Sequence, residues 1–241
     1  IMNILREVSL GKFYFYAATL LRESMFLSSM LLNAETWLNL TEQDIEELEI
    51  VDRMLLRRIF DVPSSTPSAA LYLELGCSPV KFYIQAKRLK FLQYILKLDK
   101  EDLVSKVFFA QVENPGKNDW WLTVKTDLEK FNLSHLTFDQ IKSMSKHKFK
   151  KIVNKAFKMA AFQFLIKEKE TKSKSKMSKL EYVTLELQPY LKSDIIFNRT
   201  KKFVFRLRTR MVNVGHNFGK KNRCKVSFQP RIHLENIATF L

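Results

Sequence analysis

Glycine and proline are scarce in this chain, 5 and 6 among 241 residues. That argues against a loop-rich, all-β architecture, because turns between many short strands draw heavily on both. The two cysteines, Cys77 and Cys224, are too few for a disulfide framework, so a reducing intracellular setting, nucleus or cytoplasm, is expected. No run of about 18 uninterrupted apolar residues occurs. The nearest approach, residues 14–32, is broken by Arg22, Glu23 and three serines, so a buried helix is expected there rather than a membrane span. The start shows no basic region leading into an apolar run and a small-residue cleavage site, so no secretory signal is evident. It opens on Ile1 rather than Met, which we read as the mark of a fragment. P-loop, dinucleotide fingerprint, G-x-S-x-G and H-E-x-x-H patterns are all missing, and no cofactor is expected.

Basic charge, by contrast, is plentiful. The net charge is +16, and it is unevenly spread: residues 1–100 hold 12 basic and 12 acidic side chains, residues 101–241 hold 29 and 13. A balanced first part and a strongly basic second part suggest two functional regions, the second facing a polyanion. Nucleic acid fits that excess better than a membrane surface.

Apolar spacing makes the chain mainly α-helical, and 46% hydrophobic residues suffice for one large or two small cores. A helix is expected from about Tyr14 to Leu32, with Leu20, Leu21, Phe26, Leu27 and Leu31 on its apolar side. Thr41 and Asp44 form a capping-box-like start to a second helix, along which Ile45, Leu48, Val51, Leu55 and Ile59 repeat at three and four residues. Its acidic residues need no metal to explain them, and Arg57 and Arg58 suit the negative end of its dipole as well as they would suit RNA. After a Pro- and Ser-rich hinge at 62–68, Gly76 and Pro79 punctuate the chain before a long helix. On that helix Phe82, Ile84, Leu89, Phe91, Leu92, Ile95 and Leu96 form one broad core face. Tyr83, Lys87, Lys90, Tyr94 and Lys97 fall together on the opposite side. Lysines at helical spacing with tyrosines between them offer point charges to phosphates and rings to bases; they equally make a solvated face with snorkelling tyrosines.

Asn114-Pro115-Gly116 is the strongest turn signal, and Trp120 and Trp121 beyond it serve as a packing anchor or a stacking platform. A basic amphipathic helix is expected from Lys146 to Glu170, with Lys148, Lys151, Lys155 and Lys158 on one track, suited to a phosphate backbone, an acidic partner or a membrane surface. Residues 171–179 are low-complexity and basic, a linker or phosphate-contacting arm. Over 201–212, Arg206, Arg208 and Arg210 alternate with apolar residues. We expect a helix there, matching the rest of the chain, with the arginines available to nucleic acid. Cys224, with His216 and His233 nearby, is the one metal-like feature. Zinc needs four convergent ligands, and Ser227 stands where a C-x-x-C would place its second cysteine, so no metal site is assigned.

Leu71-Tyr72-Leu73-Glu74-Leu75-Gly76, Pro79, Lys87-Arg88-Leu89 and Phe91-Leu92 resemble the region just downstream of the polymerase core in non-LTR (LINE-like) retrotransposon reverse transcriptases. The likeness is greatest to those bearing a restriction-like endonuclease. Glu35-Thr36-Trp37, Asn39-Leu40-Thr41, Leu48-Glu49, Val51-Asp52 and Leu55-Leu56-Arg57-Arg58-Ile59 look like the thumb of these enzymes. Val107-Phe108, Ala110-Gln111, Asn114-Pro115, Asp119-Trp120, Ile141-Lys142, Met144-Ser145-Lys146 and Leu207-Arg208-Thr209-Arg210-Met211 look like the connector that follows. The resemblance implies thumb-like helices over 1–66, a central helical connector with basic faces over 67–170, the linker 171–179, and a basic segment over 180–241. That last segment carries a degenerate zinc knuckle: Cys224 matches its first ligand and His233 its histidine, while Ser227 and Ile237 replace cysteines. The catalytic aspartates of the family belong to a palm and its endonuclease follows the knuckle, so no catalytic residue is carried over, and this chain alone is not expected to be an enzyme. The partners implied are RNA and RNA–DNA duplex, as retroelement RNA and target-site DNA, and the palm itself. The competing expectation is a non-catalytic helical protein-interaction module or an inactive retroelement remnant.

Overall fold

Each long helix begins and ends where the local chemistry requires it. In the computed structural model, which describes residues 13–38, 40–171 and 180–209, α1 (Tyr14–Leu21) runs through a π-helical turn (Arg22–Phe26) into α2 (Leu27–Met30), and a 3₁₀ turn follows at Ala34–Thr36. Helix α3 (Glu42–Phe60) starts at Thr41, whose hydroxyl accepts from the Asp44 N–H while the Asp44 carboxylate accepts from the Thr41 N–H. This is the reciprocal cap read from the sequence. Helix α4 (Ser68–Leu75) ends at Gly76, and α5 (Val80–Lys97) follows Pro79. Then come α6 (Leu103–Glu113), α7 (Trp120–Lys130) and α8 (Phe138–Ser143), the last with a second capping box, Thr137 and Gln140. Helix α9 (Lys146–Thr171) is the longest of the described elements, and α10 (Pro189–Lys192) and α11 (Asn198–Arg208) close the described chain. The fold is therefore mainly α, and the only sheet-like pairing among the described residues is one antiparallel bridge, Leu75 to Leu187.

Helix α5 is the axle of the fold. It packs on α9, α7, α3, α8, α6 and the 3₁₀ turn. It lies antiparallel to α9: the Phe82 and Phe164 rings are 5.7 Å apart, Tyr83 and Phe157 5.5 Å, and at the other end Lys97 Nζ donates to the Met144 carbonyl at 2.7 Å. One buried cluster runs from Tyr14 and Phe15 through α3, α4, α5 and α9 to Val204 and Phe205, so stretches far apart in sequence share a core.

Three expectations about faces need correcting. The reading of α5 as a helix with one core face and one solvent face does not hold. Gln85, Arg88 and Gln93 are also buried, so the helix is covered on most sides. Two of these polar side chains have partners: Arg88 Nε meets Asp127 at 2.8 Å, and Gln93 Nε2 donates to the Ile141 and Met144 carbonyls. Gln85 lies beside Asp127, and its Oε1 is buried with no hydrogen-bond partner among the described residues. On α3, Glu49 and Asp52 face inward, whereas Val51 is 47% exposed. On α1, Leu20 is 54% exposed and the buried positions are Tyr14, Phe15 and Ala18.

Candidate nucleic-acid interface

The α5 stripe of tyrosines and lysines is largely engaged within the chain. Lys87 Nζ donates to the Leu31 carbonyl at 2.6 Å, just past the C-terminus of α2, and lies 3.7 Å from Glu35. Lys97 makes the same kind of contact beyond the C-terminus of α8, where Met144 is the cap. Both lysines thus satisfy orphan carbonyls at the negative end of a helix dipole. The Tyr83 hydroxyl donates to Glu23 at 2.8 Å, and its ring packs between Phe157 and the Arg22 guanidinium. Burial pushes the Tyr83 phenol well above its usual range. Tyr94 is the outward member, 57% exposed and stacked on Phe91 at 5.7 Å. Lys90 is half-buried, has no hydrogen-bond partner or carboxylate among the described residues, and is pushed down to about 8 by burial and by the nearby Lys150 and Lys87 charges.

The arginines of α11 also turn inward. Arg206 pairs with Asp61 at 2.9 Å and bonds the Asp61 carbonyl, closing the end of α3, where Phe60 and Phe205 stack 3.7 Å apart. Arg208 Nε donates to the buried Glu74 at 3.0 Å and lies over the Tyr190 ring. Both serve to dock α11, which alternation along the sequence had no means of revealing. Arg210, together with His216, Cys224, Ser227, His233 and Ile237, lies outside the described residues, as does the linker after Thr171.

The surface that is left is α9. Its buried side is Phe149, Val153, Phe157, Ala161 and Leu165, at four-residue spacing against the core. Lys148, Lys151, Lys155 and Lys158 stand exposed on the outer side; Lys146, Lys150 and Lys167 are exposed elsewhere on α9, and Lys142 is exposed on α8. Residues 140–167 thus hold eight lysines and no acidic residue. None of the eight meets a carboxylate within 4.0 Å among the described residues. Several cations elsewhere on the described surface are matched, Arg53 with Glu46, Lys106 with Glu101 and Lys192 with Glu186. A row of unmatched ammonium groups along a rigid helix can hold successive phosphates without reading bases.

The tryptophans resolve as packing. Trp120 is buried, its Nε1 donates to the Glu35 carbonyl at 2.8 Å, and Trp121 meets Phe108 and Phe138 edge-on. An apolar groove of about 300 Å³ lies beside them, lined by Phe91, Ile95, Leu103, Val104, Val107 and Trp120. A cleft of about 820 Å³ between α3 and α5 is lined by Glu46, Glu49, Arg53, Lys81 and Arg88. Two of its carboxylates are already engaged: Glu46 by Arg53, and Glu49 by the Tyr72 hydroxyl and the Lys81 N–H at the start of α5. Among the described residues no group of three or more His, Cys, Asp or Glu could hold a metal, and no helix is long and apolar enough to cross a membrane. No protein-family model matches the chain, and neither a curated protein nor a solved structure matches it.

Proposed function

We propose that this chain binds RNA and RNA–DNA duplex through the basic face of α9, as the thumb and connector of a non-LTR retrotransposon reverse transcriptase, acting inside the cell. The single observation that carries the binding half of this reading is the acid-free run of eight exposed lysines over 140–167. The reverse-transcriptase half rests on the ordered resemblance from Glu35-Thr36-Trp37 to Leu207-Arg208. In that setting the chain clamps the template–primer duplex electrostatically while a palm supplies the chemistry. No catalytic residue is assigned to this chain, and purified alone it is expected not to extend a primer; metal-dependent extension would contradict the reading.

The binding test is a fluorescence-anisotropy titration with structured RNA and with RNA–DNA duplex at two salt concentrations. Binding should weaken steeply with salt and show little sequence preference. The variant Lys148→Gln/Lys151→Gln/Lys155→Gln should flatten the log–log salt slope by about 2–3, since each lost phosphate contact removes roughly 0.7–0.9. These side chains are exposed, so the fold should be unaffected. An unchanged slope and affinity in the triple variant would sink the proposal. A protein-interaction role instead draws on the apolar groove, where Leu103 is 75% and Val107 49% exposed. It predicts that partner binding survives the triple substitution and is lost in Val107→Asp.

A further inference from the structure

Lys90 is the anomaly of the α5 stripe. Its neighbours Lys87 and Lys97 each have a carbonyl to hold, whereas Lys90 is half-buried with neither an acceptor nor a carboxylate among the described residues. The antiparallel pairing of α5 with α9, fixed by Tyr83 against Phe157 and Lys97 against Met144, brings Lys90 opposite Lys150. Lys87 stands one turn away on its own helix, with Glu35 of the 3₁₀ turn beside it. From α9 the first turn contributes Lys146 and Lys148 and no acidic residue. That is the reverse of what the positive end of a helix dipole favours. Desolvation and the two neighbouring ammonium groups raise the free energy of a charged Lys90, and no contact among the described residues offsets them. Such an arrangement is stabilised by a bound oxyanion, which would relieve all of these terms together.

We propose that Lys90 and Lys150, with Lys87 behind them, form a phosphate-holding site on the α5–α9 seam, occupied by a phosphodiester of the bound strand. It rests on the nucleic-acid reading above and goes further in naming where one phosphate is fixed, whereas the outer lysines of α9 supply a diffuse field. Lys90, being partly neutral near pH 8, takes up a proton when the phosphate arrives.

The test follows the Lys90 side chain by ¹H–¹³C correlation of the lysine Cε groups in the full chain, assigned by the signal lost in Lys90→Gln. Its titration midpoint is measured alone, with inorganic phosphate, and with a short single-stranded RNA, while anisotropy reports RNA binding in parallel. Both ligands should raise the midpoint by about 1–3 pH units, the effect of an opposite charge within hydrogen-bonding range. Phosphate acting without RNA would uphold the site and assign it to a free phosphate, overturning the strand as its occupant. RNA that binds by anisotropy yet leaves Lys90 unmoved would overturn the site and leave the nucleic-acid reading standing. No response to either, with no RNA binding, would overturn both. Lys150→Gln, at an exposed position that cannot disturb the core, should lower the single-strand salt slope by about 0.7, and Lys100→Gln, exposed beyond the end of α5, should not.

Discussion

Asp52→Ala will destabilise the fold by about 3–5 kcal/mol, the range for removing one partner of a buried ion pair. Asp52 and Arg22 have fully buried side chains and meet through two parallel bonds, Nε to Oδ1 at 2.7 Å and Nη2 to Oδ2 at 2.6 Å. The Ser78 carbonyl takes a further N–H at 2.9 Å, and the guanidinium lies against the Tyr72 and Tyr83 rings. Burial works to lower the Arg22 pKa, and the Asp52 carboxylate more than offsets it, so the group ends well above its ordinary value. An arginine cannot escape an unpaired burial by losing its proton. Without Asp52 it must either stay charged in the core or unwind the π-helical turn that places it there. Denaturant melts of wild type and variant measure the loss, and in a thermal melt it should appear as a fall of roughly 6–20 °C. The double replacement Arg22→Met/Asp52→Leu should be milder than Asp52→Ala alone, because it removes the uncompensated charge with the pair. A single variant within about 1 kcal/mol of wild type, the value of an exposed pair, would show that the bridge is not buried in solution.

Glu74→Ala will release residues 180–209 from the rest of the chain, again at about 3–5 kcal/mol. The Glu74 side chain is fully buried, and every one of its side-chain hydrogen bonds comes from that stretch: the Tyr182 hydroxyl at 2.6 Å and Arg208 Nε at 3.0 Å to one oxygen, and the Tyr190 hydroxyl at 2.8 Å to the other. Burial and the carboxylate push both tyrosine pKa values well above the ordinary range. The effect should be local. Amide exchange and proteolysis should rise within 180–209 while α5 and α9 keep their protection. Gly76→Ala reaches the same result by a different route. Gly76 has φ +66° at the C-cap of α4, and a Cβ there would overlap the backbone of Glu186 and Leu187. The strand-like contact of Leu187 with Leu75, and the bond from the Gln188 N–H to the Glu74 carbonyl, would have to open. If either substitution left exchange in 180–209 unchanged, Glu74 would not be the anchor of that segment.

Glu74 also shows why the site was only partly legible in the sequence. It sits in an apolar run, Leu71 to Leu75, where a lone acid gives no sign of its partners more than 100 residues away. Arg206 and Arg208 carried the opposite signal. Their concentration suggested a surface for nucleic acid, and two acids from distant helices, Asp61 and Glu74, bring both into the fold. Lys87 and Lys97 were placed correctly on one stripe of α5. Spacing says which residues share a face, but not whether another helix end arrives to use it. Lys148, Lys151 and Lys155 were legible as exposed charges, because nothing acidic lies near them in sequence and no described carboxylate reaches them in space.

What the sequence determined by itself is the start or end of several helices. Thr41 with Asp44, Thr137 with Gln140, Gly76 and Pro79 act through backbone groups within a few residues, so local chemistry is enough to fix them. The positive charge of α9 was equally plain, since no acid falls between residues 140 and 167, although packing decided which of its apolar residues are buried. Only the tertiary structure decided which charges are buried. Arg22 with Asp52, Arg88 with Asp127 and Arg208 with Glu74 are joined across 30, 39 and 134 residues. A buried charge is tolerable only when its counter-ion is present, and that depends on how the helices pack rather than on the pattern along any one of them.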